Sequence, residues 1–190
     1  MPAGRSGGME ASQIWLVRTL ATLGKVTLVS PFMQTRWGWP TCESIHFLGL
    51  SLLFGTIAMF DLRLLGMAKR VPIAALHRLI PWGILGFSTN VLTGTMFLLT
   101  EPDQYIYNPA FHFKMLFVAS AGFNILAFYL LVFRQVVPIG AGGEAPRSAK
   151  LVASVSLIAW IAVIVCGRYL TFYRPGLCEG QHSFLSTCIP

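Results

Sequence analysis

An almost uninterrupted apolar run extends from Glu43 to Arg63, and it limits the folds open to this chain more than any other feature. It carries an acid and a histidine near its start and an acid and a base at its end. Three more apolar runs follow, and a chain of 190 residues has too little polar surface to cover four of them. Only 11% of the residues are charged, against about a quarter in soluble domains. The sequence therefore predicts an integral membrane protein.

The four apolar runs predict four membrane-spanning helices, so the predicted fold class is all-α, an integral membrane four-helix bundle. The predicted spans are residues 43–65, a helix from just after His77 to about Leu99, residues 109–133 and residues 151–169. At 1.5 Å per residue, such helices cross a hydrocarbon layer of about 30 Å. Asn108 followed by Pro109 is typical of an N-cap and a first helical position. Pro81 places His77 on a kink or a short surface turn, because proline cannot donate to the His77 carbonyl.

The segment from Ile14 to Met33 predicts an amphipathic helix that lies in the membrane interface instead of crossing it. Arg18, Thr22 and Lys25 form one polar stripe, and large apolar side chains cover much of the remaining surface. That pattern is typical of interfacial helices. Pro31 is predicted to end this helix.

Three regions follow from these assignments. Residues 1–41 hold the polar N-terminus, the interfacial helix and an aromatic connection, residues 42–172 hold the four-helix membrane domain, and residues 173–190 form a polar tail. Cys178 and Cys188 lie in that tail, where a disulfide would form if the tail faces an oxidising compartment. The alternative is that the four cysteines of the chain are unrelated thiols.

Small residues and a glycine-rich stretch predict how the spans pack and connect. Gly86, Asn90 and Gly94 recur at every fourth residue and form a stripe suited to close helix packing, with one amide facing the bundle. Residues 140–143 predict a flexible linker before the fourth span. Ser148 is a suitable N-cap for that span.

The net charge of +7 indicates membrane anchoring in this context and gives no support to nucleic-acid binding, because the basic residues sit in short connections between apolar runs. Half of them fall in the two loops that share one face: Arg63, Lys69, Arg70, Arg78, Arg134, Arg147 and Lys150. The loop on the other face carries Glu101 and Asp103. Short basic loops favour the cytoplasmic side, so we expect a multi-pass protein of the bacterial inner membrane with both termini in the periplasm.

Two histidines at matching depth predict a haem site. His46 and His112 each come about one turn after the start of a helix, and those two helices enter the membrane from the same face. Because neutral imidazole is an axial ligand of haem iron, we expect one haem b near the outer face, ligated by both residues. The alternative is that each histidine makes an ordinary hydrogen bond at the interface.

Four neighbouring residues fit that prediction. Gly49 lies on the His46 face of its helix and would leave room for a flat macrocycle. Lys114 and Arg168 occur at the same membrane level and would pair with haem propionates. Glu43, one turn before His46, would hydrogen-bond the far nitrogen of that imidazole. Near the other end of the first span, Asp61 and Arg63 are two residues apart, so we expect each to pair with another helix or with lipid headgroups.

The predicted function is electron transfer by a b-type cytochrome-like protein, between a periplasmic redox partner and quinone or a larger membrane complex. Such a protein would act as an electron-transfer or accessory subunit and not as an enzyme by itself. Two alternatives stay open: a non-catalytic membrane anchor or accessory subunit, and a copper-handling protein. The copper ligands would be soft donors and imidazoles, namely Met33, Cys42, His46, His112 and Met115.

Four motifs resemble a family of small four-helix bacterial inner-membrane proteins of unassigned function. They are E-S-I-H-F-L-G-L-S-L-L-F-G-T-I-A-M-F-D-L-R-L-L-G in the first span, L-I-P-W in the second, N-P-A-F-H-F-K in the third and C-G-R-Y in the fourth. The resemblance extends from about Trp15 through Tyr169 and leaves out the Cys-containing tail. It implies the fold and the membrane location but no activity. The layout is also similar to that of four-helix membrane b-type cytochromes, which commonly use more histidines.

Overall fold

The computed structural model describes residues 6–172, with side chains from residue 11 onward. The tail that holds Cys178 and Cys188 lies outside the described residues, and so does its predicted disulfide. All regular secondary structure in residues 6–172 is helical, and these residues form no β-strand. The all-α prediction is confirmed.

Nine α-helices follow one another along residues 6–172. They are α1 (Ser6–Val26), α2 (Val29–Met33), α3 (Gly38–Leu64), α4 (Ile73–His77), α5 (Ile80–Thr100), α6 (Pro102–Ile106), α7 (Pro109–Ala127), α8 (Phe133–Val136) and α9 (Arg147–Tyr169), and a π-helical turn at Phe128–Val132 joins α7 to α8. Four stretches are long and apolar enough to cross a membrane. We call them span 1 (Gly38–Leu64), span 2 (Ile73–Thr100), span 3 (Pro109–Val136) and span 4 (Arg147–Tyr169). The prediction of four spans is confirmed, and the protein is a multi-pass membrane protein.

The N-terminal helix breaks earlier than predicted, and Pro31 does not end it. The break falls at Leu28, whose backbone adopts a left-handed conformation with φ of 61°. Pro31 lies in the first turn of α2, where its missing N–H would have no helical partner in any case. The second helix, α2, therefore continues past Pro31 to Met33, and the prediction that Pro31 ends the helix was wrong.

The starts of spans 2 and 3 match their sequence signals. His77 is the last residue of the short helix α4, and Pro81 lies in the first turn of α5. His77 therefore sits at a turn, as predicted. At the start of span 3 the Asn108 side chain accepts a hydrogen bond from the Ala110 N–H at 3.0 Å, with Pro109 as the first helical residue. The predicted N-cap is confirmed.

The spans pack in the order 2, 1, 4, 3, and the contact between spans 1 and 2 is the most extensive. Gly86 allows this approach, because a Cβ atom at that position would lie 2.6 Å from the Gly49 carbonyl oxygen and 2.7 Å from the Leu53 nitrogen. Spans 3 and 4 form the second close pair, and span 4 joins it to span 1. The long helices α5 and α7 have almost no contact with each other, whereas α4 packs against the end of span 3 through Ile73 and His77. The bundle therefore has one loosely closed side, between α5 and α7.

The two ends of the bundle carry different groups, and we name them after one residue each. The His46 end holds the starts of spans 1 and 3, and the short helices α2 and α6 pack there. The Asp61 end holds the loops that connect span 1 to span 2 and span 3 to span 4.

Arg63 fastens the two loops of the Asp61 end together. Its side chain is fully buried, and its guanidinium donates to the carbonyl oxygens of Val71, Gly140 and Gly143. The predicted flexible linker is thus tied down at both ends of its glycine-rich stretch. Span 4 begins at Arg147 with Pro146 in the N-cap position, so the predicted Ser148 cap was wrong.

Candidate functional site

The His46 side chain is held in one orientation by span 2. Its Nδ1 atom lies 2.7 Å from the Thr93 hydroxyl oxygen, and its ring packs edge-on against Phe97 with a centroid distance of 5.6 Å. Thr93 is buried, and its hydroxyl donates to the Thr89 carbonyl oxygen at 2.7 Å. Because a hydroxyl has one proton to give, Thr93 must accept from the imidazole. The proton of neutral His46 is therefore on Nδ1, and the lone pair is on Nε2.

The Nε2 atom of His46 makes no hydrogen bond to any residue in the described part of the chain. The His46 side chain as a whole is half-buried. A neutral imidazole with Nδ1–H donated to a fixed acceptor and a free Nε2 is the arrangement that metal-ligating histidines adopt.

His112 has the opposite arrangement. Its Nε2 atom lies 2.9 Å from the Ile106 carbonyl oxygen, and a carbonyl can only accept. The Nε2 atom therefore carries a proton in this structure. The ring is exposed and lies against Phe111 at a centroid distance of 6.1 Å. The two histidines are thus held by different neighbours, His46 by span 2 and His112 by the end of α6.

Lys114 brings a cation close to His46. Its side chain is half-buried between spans 3 and 4, and its Nζ atom lies 3.9 Å from the position that a Cβ atom on Gly167 would take. The ammonium is within electrostatic range of the His46 ring. Among residues 6–172 it forms no ion pair and no hydrogen bond. The His46 end therefore combines an imidazole lone pair with an unpaired cation.

The other predicted site residues are Arg168, Glu43 and Gly49. Arg168 is exposed, and its guanidinium lies over the Phe172 ring at 5.1 Å. Glu43 is half-buried and is not the hydrogen-bond partner of His46, because Thr93 takes that role. Gly49 is buried against span 2, where a Cβ atom would lie 2.9 Å from the Asn90 side chain. The absence of a side chain at Gly49 thus serves helix packing and leaves no open space beside it.

Two soft donors lie in the same neighbourhood as His46. Cys42 is one turn before it, is buried, and has its Sγ atom 3.8 Å from the Thr93 carbonyl oxygen. Met33 is buried in one apolar cluster with Cys42 and Phe97. Within residues 6–172, no group of three or more His, Cys, Asp or Glu side chains is arranged to hold a metal ion. Any metal bound by His46 would need methionine, a water or a cofactor for its remaining positions.

A family comparison covers most of this structure. Residues 35–173 match the model of a family of unknown function, DUF6644. The chain belongs to the DUF6644 family. All four spans lie inside the DUF6644 match, whereas α1 and α2 lie outside it. The resemblance seen in the sequence is thereby confirmed for the fold. No curated protein and no solved structure matches the chain.

Sequence reasoning missed Thr93, the residue of this DUF6644 protein that orients His46. The only signal in the sequence was that Thr93 is a polar residue in an apolar helix. It lies next to the stripe of small residues formed by Gly86, Asn90 and Gly94. Pairing it with His46 needs the register between spans 1 and 2. The close contact at Gly86 sets that register, and the sequence alone does not reveal it.

Proposed function

We propose that this protein is a b-type membrane cytochrome that binds one haem at the His46 end. It would pass electrons between a periplasmic redox protein and quinone, or a larger membrane complex that accepts electrons. The observation that carries the proposal is the His46–Thr93 hydrogen bond, which leaves the Nε2 lone pair of a half-buried imidazole available as a ligand.

The residues at this end suit a haem group in two further respects. Lys114 is a cation without a partner among the described residues, and a haem propionate would supply the missing negative charge. Arg168 is exposed near the end of span 4 and offers a second positive charge. When bound, haem b supplies one-electron chemistry, while the protein orients the ligand and fixes its protonation.

His112 is the proposed second axial ligand, and it differs from His46 in what binding requires. Its Nε2 atom would have to give up the hydrogen bond to the Ile106 carbonyl before it could face the iron. His46 needs no such change. We therefore expect His46 to contribute more to haem affinity than His112, which would hold the group only after losing its hydrogen bond to Ile106.

The location is part of the proposal. The chain would lie in a bacterial inner membrane, with both termini in the periplasm and the basic loops of the Asp61 end in the cytoplasm. One haem near one end cannot carry electrons across about 30 Å of hydrocarbon. Both electron donor and electron acceptor would therefore meet the protein at the His46 end.

The test is a reduced-minus-oxidised absorption spectrum of the purified protein from cells supplied with haem. We expect a sharp α band in the wild type, loss of haem in His46→Ala, and loss of the sharp band in His112→Ala. Thr93→Val keeps both histidines but removes the acceptor for Nδ1–H, so it should weaken haem affinity about 10-fold. His77→Ala is the matched control, because His77 lies at the other end of the bundle beside Tyr129 and Phe133.

A colourless wild-type protein with normal helicity would refute the cytochrome proposal. The same is true of a spectrum that is unchanged in His46→Ala. In either case the better account is a membrane anchor or accessory subunit without a cofactor.

A copper-handling protein is the second candidate, and the clustering of Met33 and Cys42 near His46 favours it. Thiol, thioether and imidazole are ligands that suit Cu(I). This candidate predicts one copper per chain, no visible chromophore, and loss of copper in Cys42→Ser. Haem binding should be unaffected by that substitution, so the two candidates give different results with one variant.

A further inference from the structure

A cavity of about 390 Å³ lies between the spans in the half of the bundle near the Asp61 end. It lies within the range of about 300–1,000 Å³ that is typical of small-molecule sites. Its walls are largely apolar and include the aromatic rings of Phe60, Phe87 and Phe128. Side chains of α5 and α7 line it on the side where those two helices barely touch. Ile84 and Tyr129 flank this side and are exposed, so the cavity opens sideways towards the lipid.

Two buried polar atoms in the cavity wall lack hydrogen-bond partners, one on Asp61 and one on Trp160. Asp61 is 6% exposed, and its Oδ2 atom makes no hydrogen bond. Trp160 is 4% exposed, and its indole N–H makes none either. The Ser156 hydroxyl faces the Asp61 carboxyl group, one helical turn from Trp160. A buried polar atom without a hydrogen-bond partner destabilises the folded state, so two such atoms beside one cavity indicate a ligand that pairs with them.

Arg63 does not pair with Asp61. Its guanidinium is held by the carbonyl groups of Val71, Gly140 and Gly143. In residues 6–172 no Lys or Arg side chain forms a salt bridge with the Asp61 carboxylate. Asp61 therefore takes no part in the hydrogen bonds by which Arg63 connects the two loops.

The two unpaired groups limit the chemistry of the ligand. The indole N–H needs an acceptor, whereas the carboxyl group needs a donor if ionised and accepts or donates if protonated. A hydroxyl group satisfies either requirement. Asp61 and Trp160 lie at different heights in the cavity, since Ser156, which faces Asp61, and Trp160 are four residues, about 6 Å, apart along span 4. A ring with hydroxyl groups on opposite sides reaches both, and the flanking phenylalanine rings suit a planar molecule.

We infer that this cavity binds the head of a lipid-soluble hydroquinone, which enters from the bilayer between α5 and α7. Asp61 and Ser156 bind one hydroxyl group, and Trp160 donates to the other. The apolar tail of the ligand leaves through the gap between the spans. This site lies near the Asp61 end, so it is distinct from the site of any quinone that exchanges electrons with a haem at the His46 end, and it does not depend on haem binding.

The test uses the full chain in phosphatidylcholine nanodiscs, with decylubiquinol as the probe under anaerobic conditions. A ligand that binds the folded state raises the melting temperature in a saturable way, which yields a Kd. We expect Trp160→Phe and Asp61→Leu each to weaken decylubiquinol binding about tenfold, the effect of one lost hydrogen bond of about 1.4 kcal/mol. Trp82→Phe is the matched control, since Trp82 is exposed and does not line the cavity.

Asp61→Leu also separates a binding role from a structural one. Leucine is of similar size, and it removes the unpaired Oδ2 atom from an apolar wall. The Ser156 hydroxyl, which loses the carboxyl group as a partner, can donate instead to the backbone carbonyl one turn earlier in span 4. Without ligand, the variant should be as stable as the wild type or more stable. Loss of stability in Asp61→Leu without weaker probe binding would assign Asp61 to the fold and overturn the inference.

Three other outcomes would overturn the inference. The first is no saturable shift with decylubiquinol in the wild type. The second is a shift that both cavity variants leave unchanged, which would place the probe elsewhere. The third is a shift with dioleoylglycerol and none with decylubiquinol, which would make the cavity a lipid site. The same titration of His46→Ala should give the wild-type Kd for decylubiquinol. A failure of the haem proposal can therefore be told apart from a failure of the hydroquinone proposal.

Discussion

Replacement of Arg63 by methionine should loosen the whole Asp61 end of the bundle. The guanidinium is fully buried and makes three hydrogen bonds: Nε to the Val71 carbonyl at 2.6 Å, and Nη2 to the carbonyls of Gly140 and Gly143 at 3.2 Å each. These bonds connect the loop after span 1 to the loop before span 4. Methionine fills much of the same volume but cannot donate.

The expected magnitude follows from these bonds and from the cost of burying the charge. A hydrogen bond to a charged group contributes about 1.5–3 kcal/mol, so three give an upper limit of about 9 kcal/mol. Burial of a guanidinium costs several kcal/mol in return, and the Nη1 atom has no partner. We expect Arg63→Met to lower the free energy of unfolding by about 3 kcal/mol, the lower end of the range for breaking a buried polar arrangement.

The assay is thermal unfolding of the purified protein in one detergent, with limited proteolysis of the loop at residues 140–143. A loss of about 3 kcal/mol corresponds to roughly 6–12 °C for a chain of this size. Cleavage in the loop should become faster at temperatures below the transition. Arg70→Met is the matched control, because Arg70 is exposed in the same loop region, and it should change stability by about 0.5 kcal/mol or less. Equal melting temperatures for the two variants would refute this account of Arg63.

Two further predictions concern helix packing and titration. Gly86→Ala should push spans 1 and 2 apart and cost about 1–3 kcal/mol in the same unfolding assay. Gly55→Ala should have little effect, because no atom beyond the backbone of its own helix lies within 4 Å of the new methyl group. Equal losses in the two variants would contradict the contact at Gly86. Burial, with the nearby negative charges of Cys42, Glu101 and Glu43, raises the pKa of Tyr105 to about 12. An unfolded tyrosine has a pKa of about 10, so the unfolded chain binds fewer protons between pH 10 and 12 and stability falls as pH rises through that window. Tyr105→Phe should reduce this fall, and a Tyr105 phenolate absorbance that appears near pH 10 would show the prediction to be wrong.

The membrane fold was predictable because its signals are local. Four apolar runs are each long enough to cross a bilayer, and every backbone polar group inside such a run must be satisfied within its own helix. Asn108 and Pro109 mark the start of span 3 through a side-chain cap and a preset φ angle, both within three residues. The stripe at Gly86 and Asn90 indicated a packing face for the same reason, since small residues at every fourth position lie on one side of a helix.

Predictions failed where a second helix or loop changes what a residue does. Pro31 is a helix breaker in isolation, yet the left-handed backbone at Leu28 begins a new helix whose first turn accepts it. Residues 140–143 are flexible as a peptide but are tied to Arg63, which lies far away in the chain. Gly49 suggested space for a cofactor, and span 2 occupies that space.

The sequence by itself determined that this DUF6644 protein crosses the membrane with four helices and which histidines lie near one end of them. Only the tertiary structure decided that Thr93 holds His46, that Ile106 holds His112, and that Asp61 and Trp160 share one cavity. The physical reason is that helix formation in lipid depends on hydrophobicity and hydrogen bonds within a segment. The register and spacing of packed helices depend instead on side-chain shapes that meet from distant parts of the chain.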